Sequence, residues 1–549
     1  MAPVSLFRLP REVRDIVYRY YVTVSGGLVC DTEAFVNGKL RGKHEPLSFS
    51  LVYTCKQISA EMDRGGIALR YNVLTFSTIW DRDLGHLAWA FDGLVNGVDE
   101  LRCEIFHLVG HSITDTIYDE MAAEYPQFLP LLDRMREEGP RFPGEEPLST
   151  ERHGPYGEAP SVYREFIKDL LRKAVKHDDA FRQAVVNCRL LDHRVNKHRY
   201  EVDQGWSTFD AIRSSTELWA IPSERQMSEL NFILGWAWQR HFTKASARET
   251  SKFRFSAAAA AVHFLENTPH ELRKHLREIV LDEDREAVAH PECHARGLIP
   301  FCEQYPLRIE RRANLWRNVF QKDFNYDSPS ARVNPMFDVT ITPLFLSSDQ
   351  ITANVSSWIA EALALSSAGM PPAAFSLVLD GNPAPDLCSR IFQAVVQRDV
   401  GWQLAWQKSL DRRLLPYMTW YERRGEGVPR HGYVTLTALS QFQNRVLPAD
   451  YGGYWGYFFE GFPDAMEDIR KGDSVVRCNF DIGQPFDVDQ IVSEHRTWSS
   501  FKWITEWFNH EPWFWETEAP LPEWRGLVEE NMFDVAEEEG MHRRRRYWH

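Results

Sequence analysis

Leu9-Pro10-Arg11-Glu12-Val13-Arg14-Asp15-Ile16-Val17-Tyr18 is the segment from which the fold of this chain can be read outward. Pro10 suits the first turn of a helix, where its missing N–H group would be unpaired anyway. Glu12 then faces the positive end of the helix dipole. Apolar residues follow at helical spacing, at Val13, Ile16, Val17, Tyr20 and Tyr21. Because so short a helix does not hold itself in water, the sequence predicts that this stripe packs against other parts of the chain.

A second helix is predicted after a loop that contains glycine and lysine. It ends at Gly65-Gly66, and its apolar residues recur at helical spacing: Leu51, Val52, Cys55, Ile58 and Met62. The segment Asn72–Phe76 then predicts a strand, because it is rich in residues that favour β structure. Residues 1–80 therefore read as a small helical module that leads into a strand.

Residues Leu9–Tyr18, followed by Leu51–Ile58, resemble the F-box-like N-terminus of large families of fungal proteins. An F-box is a small helical module that binds the Skp-type linker protein of cullin-RING ubiquitin ligases. The resemblance covers residues 4–80, and Ser25–Pro46 stands where an F-box usually has a short turn. It implies that the linker contacts lie at Leu9, Pro10, Val13, Ile16, Val17, Leu51, Val52 and Ile58.

On this resemblance we expect a non-enzymatic interaction protein that acts as a substrate adaptor of a cullin-RING ligase. The first helices would bind the linker, and the C-terminal region would bind an unknown protein client. One alternative is a scaffold whose F-box-like helices are simply buried. An exposed apolar patch at Leu9, Ile16 and Val17 would favour binding to a partner, whereas burial of the same residues would favour the scaffold.

Composition narrows the class of protein. The 549 residues carry a formal net charge of -15, which argues against general binding to nucleic acid, since such binding needs clustered Lys and Arg. The eight cysteines are scattered, as expected in a reducing compartment. Residues 1–9 show no secretory signal, and the longest apolar run is too short to span a bilayer. We therefore expect a cytoplasmic or nuclear protein with no membrane partner.

The rest of the chain predicts a helix-dominated α+β fold, in which the N-terminal module precedes an irregular mixed α/β domain. Residues 81–250 read as mainly helical, with a Pro- and Gly-rich loop at 139–160 and a strand at Glu100–Phe106. Residues 251–549 read as a mixed α/β region with a basic tail at Arg543–Arg546.

Two predicted strands fit the spacing of leucine-rich repeats loosely. One is Leu276-x-x-Ile279-x-Leu281-x-x-Asp284 and the other is Ala374-x-x-Leu377-x-Leu379-x-x-Asn382. True solenoids repeat every 20–50 residues, whereas these two copies lie much farther apart. We therefore expect an irregular domain and not a repeat array.

A third functional alternative, a soluble enzyme and possibly a hydrolase, depends on acids at strand ends. Asp282, Glu283 and Asp284 end one predicted strand, and Asp380 ends another. Ligands of open α/β sheets bind outside the carboxyl ends of strands, where two carboxylates can act as acid and base. Acids are also ordinary at strand ends, so a structural role is the simpler reading.

No cofactor site is predicted. His290, Cys293, His294 and Cys302 are residue types that bind zinc, but no two of them form a CxxC pair, and we expect a structural turn. The sequence also lacks a phosphate-binding glycine loop and a nucleophile elbow.

Overall fold

The computed structural model describes residues 6–106, 109–138, 159–186, 208–242, 252–321, 345–415, 458–459, 461–507 and 509–532. The basic tail and most of the 139–160 loop therefore lie outside the described residues. The described strands are β1 (Leu28–Cys30), β2 (Arg41–Gly42), β3 (Leu74–Ser77), β4 (Glu278–Glu283), β5 (Arg308–Asn314), β6 (Leu346–Ser347), β7 (Phe375–Asp380), β8 (Val476–Cys478) and β9 (Phe514–Trp515).

Helices account for most of the described secondary structure. They are α1 (Arg11–Val22), α2 (Thr32–Val36), α3 (Lys56–Glu61), α4 (Ile67–Tyr71), α5 (Arg82–Phe106), α6 (Asp115–Glu124), α7 (Leu129–Glu138), α8 (Pro160–His177), α9 (Asp179–Val186), α10 (Thr208–Arg213), α11 (Glu224–Phe242), α12 (Ala257–Asn267), α13 (His270–Arg273), α14 (Ile299–Gln304), α15 (Ser348–Ser367), α16 (Pro385–Ile391), α17 (Gln397–Asp411), α18 (Phe462–Lys471), α19 (Val488–Glu494), α20 (Ser500–Trp507) and α21 (Trp524–Glu529). The predicted helix-dominated α+β fold is confirmed. Among the described residues, none of the helices has the length and apolar character needed to cross a membrane.

Seven strands form one sheet in the order β2-β1-β3-β4-β5-β7-β8. Only the β1–β2 pair is antiparallel, and the parallel strands follow one another in chain order. Parallel crossovers are almost always right-handed, so connections that advance in one direction all pass over the same face of the sheet. By this rule, the helices in these connections lie over one face of the sheet.

Burial along the strands agrees with this arrangement. One row of side chains in register across the sheet is buried against the helices: Phe76, Leu281, Arg311, Leu377 and Val476. The next row points to the other side and keeps solvent exposure: Ser77, Asp282, Arg312, Val378 and Arg477. We call the side that carries this second row the open face.

The two strands with leucine-rich spacing, β4 and β7, belong to this one sheet and are separated by β5. Sequence analysis did not identify β5, because charged residues dominate its sequence, RIERRAN. The strand order resembles that of a solenoid, whereas the connections are long and unequal. The domain is therefore more regular than the sequence indicated, although it is not a repeat array.

The strand predicted at Glu100–Phe106 is wrong, because these residues complete the 25-residue helix α5. Leu101 and Ile105 are one helical turn apart, and both are fully buried. Their packing against neighbouring helices outweighs the local preference of the segment for β structure. The other described elements between residues 81 and 250 are helical, as predicted.

The N-terminal region joins two different cores. Helices α1, α3 and α4 enclose a small core of their own: Tyr18, Val22, Val52, Ile58, Met62, Ile67 and Ala68. Strands β1 and β3, in contrast, lie in the main sheet beside β4. The sheet therefore crosses the domain boundary predicted at residue 80.

The buried side chain of Asn72 joins these two cores. Its Nδ2 donates to the carbonyl oxygens of Val22 and Ala68, each at 2.8 Å, and its Oδ1 accepts from the N–H of Val24. The next residue, Val73, accepts a hydrogen bond from the N–H of Leu28 at the start of β1. The end of α1 is thereby held against the first strands of the sheet.

Candidate functional site

The orientation of α1 is set by one carboxylate on α3. Arg14 donates to Glu61 from Nε at 2.9 Å and from Nη2 at 2.7 Å, and the hydroxyl of Tyr18 donates to the same carboxylate at 2.7 Å. These bonds turn the side of α1 that carries Arg14, Tyr18 and Val22 toward α3 and α4, where Tyr18 and Val22 are fully buried. The hydrogen bond from Arg14 is the main reason why the pKa of Glu61 is lowered to about 2.

The opposite side of α1 faces solvent. It carries apolar side chains at i, i+3, i+4 and i+7, and Phe7 in the preceding turn is exposed as well. Their exposed fractions are 44% for Phe7, 39% for Val13, 54% for Ile16, 38% for Val17 and 80% for Tyr20. We call these five residues the α1 surface. The prediction that the stripe packs against the rest of the chain is therefore wrong for Val13, Ile16, Val17 and Tyr20, whereas Tyr21 does pack against the small core beneath α1.

The other residues that the resemblance implied as contacts divide into two groups. Pro10 is exposed, and Leu9 and Leu51 are half-buried, so all three reach the protein surface. Val52 and Ile58 are buried in the small core beneath α1. The structure thus places the residues from the first helix at the surface, whereas two from the second segment support that helix from below.

The acids at the strand ends do not converge. Asp282 on β4 pairs in register with Arg312 on β5, while Asp380 on β7 pairs with Asn314, two residues farther along. β5 separates the two acids, so their backbones are roughly 10 Å apart or more, at about 4.8 Å per strand. Asp380 also accepts a hydrogen bond from Nδ2 of Asn479 at 2.6 Å. The pair is too far apart to share one proton or one metal ion.

The acids on either side of Asp282 have structural partners. Asp284 accepts a hydrogen bond from the hydroxyl of Thr78 at 2.7 Å. Glu283 points to the helical face, where it is fully buried, pairs with Arg311 at 2.7 Å and accepts N–H bonds from Ala257 and Ala258 at the start of α12. Three consecutive carboxylates therefore lie in three different environments.

The four residues of the suggested zinc set do not form a ligand cluster. Within the part of the chain that the structure describes, no group of three or more His, Cys, Asp or Glu residues could hold a metal ion. The ring nitrogens of His294 are both engaged, with Ser256 Oγ and with the carbonyl oxygen of Ala289, each at 2.7 Å. The thiol of Cys293 donates to the carbonyl oxygen of His290 at 3.2 Å.

Ser256 and His294 form a hydrogen-bonded pair that sequence spacing could not reveal. A carbonyl oxygen only accepts, so Nε2 of His294 carries the proton toward Ala289 and Nδ1 accepts from the Ser256 hydroxyl. Burial lowers the pKa of His294 to about 3. Ser256 Oγ also accepts from the N–H of Ala259 as the N-cap of α12. Because both residues are buried, the pair has the geometry of a helix cap and not of an accessible nucleophile.

Comparison with protein-family models, with curated proteins and with solved structures gave no match to this chain. The α1 surface is therefore identified from its own geometry. All of its members except Phe7 were visible in the sequence as an apolar stripe, but their exposure was not, because Glu61 lies 47 residues from Arg14.

Proposed function

We propose that this protein is a non-enzymatic adaptor that binds a partner protein through the α1 surface. In keeping with the F-box-like pattern of Leu9–Tyr18, the partner is the Skp-type linker of a cullin-RING ubiquitin ligase. Other subunits of the ligase would transfer ubiquitin, and the adaptor would act in the cytoplasm or the nucleus. The observation that supports this function is the continuous apolar stripe that α1 exposes at Val13, Ile16 and Val17.

The stripe has the form of a helix that enters a groove. Anchors at i, i+3, i+4 and i+7 are the pattern by which an amphipathic helix binds an apolar groove on a partner. Charged residues flank the stripe at Glu12, Asp15 and Arg19, all on the same helix, as in the polar rim of a protein interface. Because Glu61 already fixes the helix, binding would not have to order it.

Neither alternative has comparable support. A scaffold with buried F-box-like helices predicts that Ile16 and Val17 are covered, yet both are exposed among the described residues. An enzyme whose two strand-end carboxylates share one proton or one metal ion needs Asp282 and Asp380 in contact, and a whole strand separates them.

A direct binding experiment tests the proposal. Purified Skp-type linker is titrated into the full-length wild type, into an Ile16→Asp/Val17→Asp double variant and into Val36→Asp by isothermal titration calorimetry. Val36 is a matched control, since it is an apolar residue on α2 that is 58% exposed. We expect the wild type and Val36→Asp to bind, and the double variant to lose binding with an unchanged melting temperature.

Two results would overturn the proposal. A well-folded wild type that does not bind the linker would remove the ligase role. Equal binding by all three proteins would show that the linker contacts another surface.

A further inference from the structure

The open face carries a carboxylate, that of Asp282, which has no hydrogen-bond or ion-pair partner among the described residues. Arg312 lies directly opposite Asp282 in the register of β4 and β5. Its guanidinium nevertheless turns along its own strand and contacts Glu310, at 2.6 Å from Nε and 2.5 Å from Nη2. The other cross-strand neighbour of Asp282 is Ser77 on β3. Across the described ranges, no hydrogen bond or ion pair involves the Asp282 carboxylate.

The surroundings of Asp282 are also negative. Its pKa is raised to about 6, chiefly by burial and then by Asp284; Arg312 lowers the pKa, and Glu283 and Asp380 raise it by smaller amounts. A carboxylate in such a position is stabilised by any cation that approaches it. Val280, two residues earlier on the same face of β4, offers an apolar surface beside it, and the stem of a lysine or arginine packs well on such a surface.

We propose that the open face is a second interaction surface, which binds a protein segment that presents a lysine or arginine to Asp282. The row Ser77, Asp282, Arg312 and Val378 crosses four strands, so it can contact several side chains of one extended segment. This surface is separate from α1 and needs neither the linker nor a ligase. If the adaptor function is also correct, the open face supplies the client site, and the client is basic at the contact.

Peptide selection tests this inference without knowledge of the client. A random peptide library displayed on phage is selected on the full-length wild type, on Asp282→Asn and on Asp473→Asn. Asp473 is a matched control, because it is an exposed aspartate outside the sheet. We expect peptides with a fixed lysine or arginine from the wild type and from Asp473→Asn. The best peptide should bind Asp282→Asn about tenfold more weakly or worse, which is the loss of one charge-assisted hydrogen bond.

A second variant keeps the test decisive if Asp282→Asn is poorly folded. Ser77→Lys places a cation on the strand next to Asp282, where it should pair with the carboxylate and compete with the peptide. Peptide binding by the wild type should also fall between pH 7.5 and pH 5, since Asp282 then takes up a proton.

The two proposals fail separately in these experiments. The selected peptide should still bind Ile16→Asp/Val17→Asp, because these two substitutions change the α1 surface and leave the sheet unchanged. Selection of peptides that lack a common lysine or arginine would overturn the inference. Equal binding of the best peptide by the wild type, Asp282→Asn and Ser77→Lys would overturn it as well.

Discussion

Arg14 and Glu61 form a two-pronged ion pair that links α1 to α3, and this pair decides which side of α1 faces solvent. The side chains are 12% and 9% exposed, so the pair is sheltered from water. Bidentate pairs of this kind fix orientation as well as distance. With Tyr18 bonded to the same carboxylate, α1 cannot rotate its apolar stripe inward without breaking three hydrogen bonds.

Removal of the Glu61 carboxylate should make the stability of the protein depend less on pH in the acidic range. The pKa of Glu61 is lowered to about 2 from 4.5, chiefly by Arg14, so its contribution is present above pH 4.5 and is lost as the pH falls toward 2. We expect Glu61→Gln to lower the melting temperature at pH 7 and the difference from the wild type to narrow between pH 5 and pH 3. Glu516→Gln, at an exposed glutamate, is the control. A difference that does not change with pH would contradict this prediction.

The stability of the protein should fall when the amide of Asn72 is replaced by a carboxylate. Asn72→Asp keeps the shape but loses both donors to the carbonyl oxygens of Val22 and Ala68. Because the site is buried, we expect a loss of about 1–3 kcal/mol or more in the free energy of unfolding in urea. Asn267→Asp is the control, since the Asn267 amide also donates to a carbonyl oxygen but is exposed. Equal losses for the two variants would refute the special role of Asn72.

Substitution of the two adjacent arginines of β5, Arg311 and Arg312, should change the free energy of unfolding by very different amounts. Arg311 is buried and donates hydrogen bonds to Glu283 and to the carbonyl oxygens of Pro291 and Glu292. Arg311→Met should therefore lower the free energy of unfolding by about 3–5 kcal/mol, because the buried charge of Glu283 is left without a counter-charge. Arg312→Met on the open face should change stability by no more than about 0.5 kcal/mol. Denaturant unfolding of both variants measures the difference.

A double variant then tests the pairing itself. Glu283→Gln/Arg311→Met should cost less than the sum of the two single changes, since no unpaired charge is left. Strict additivity would show that the two side chains act independently.

Ser256 should behave as a structural cap. Ser256→Ala removes the acceptor for the Ala259 N–H and the donor to His294, so its cost should exceed the roughly 1 kcal/mol of an ordinary N-cap. Thr114→Ala, at the N-cap of α6, provides that reference. A fluorophosphonate probe should leave Ser256 unlabelled in the folded protein, as read by mass spectrometry. Labelling at Ser256 would instead indicate an accessible nucleophile.

The elements that sequence analysis found are those whose pattern is local. The leucine-rich spacing in Leu276–Asp284 and in Ala374–Asn382 marked β4 and β7, and each of these strands does bury every second side chain. β5 was missed because Arg311, which reads as a surface residue, occupies a buried position. The carboxylate of Glu283 on the neighbouring strand supplies the opposite charge that makes the position tolerable for Arg311, and no local pattern contains both residues.

The sequence alone determined where α1 begins, which residues form its apolar stripe and that β3, β4 and β7 are strands, since these depend on spacings within a few residues. The tertiary structure decided that the stripe is exposed, that Asp282 and Asp380 are separated by β5, and that Asp282 has no partner on the open face. These outcomes depend on contacts such as Arg14–Glu61 and Glu283–Arg311, 47 and 28 residues apart. Their free energies arise only when distant segments pack together, so periodicity along the chain cannot reveal them.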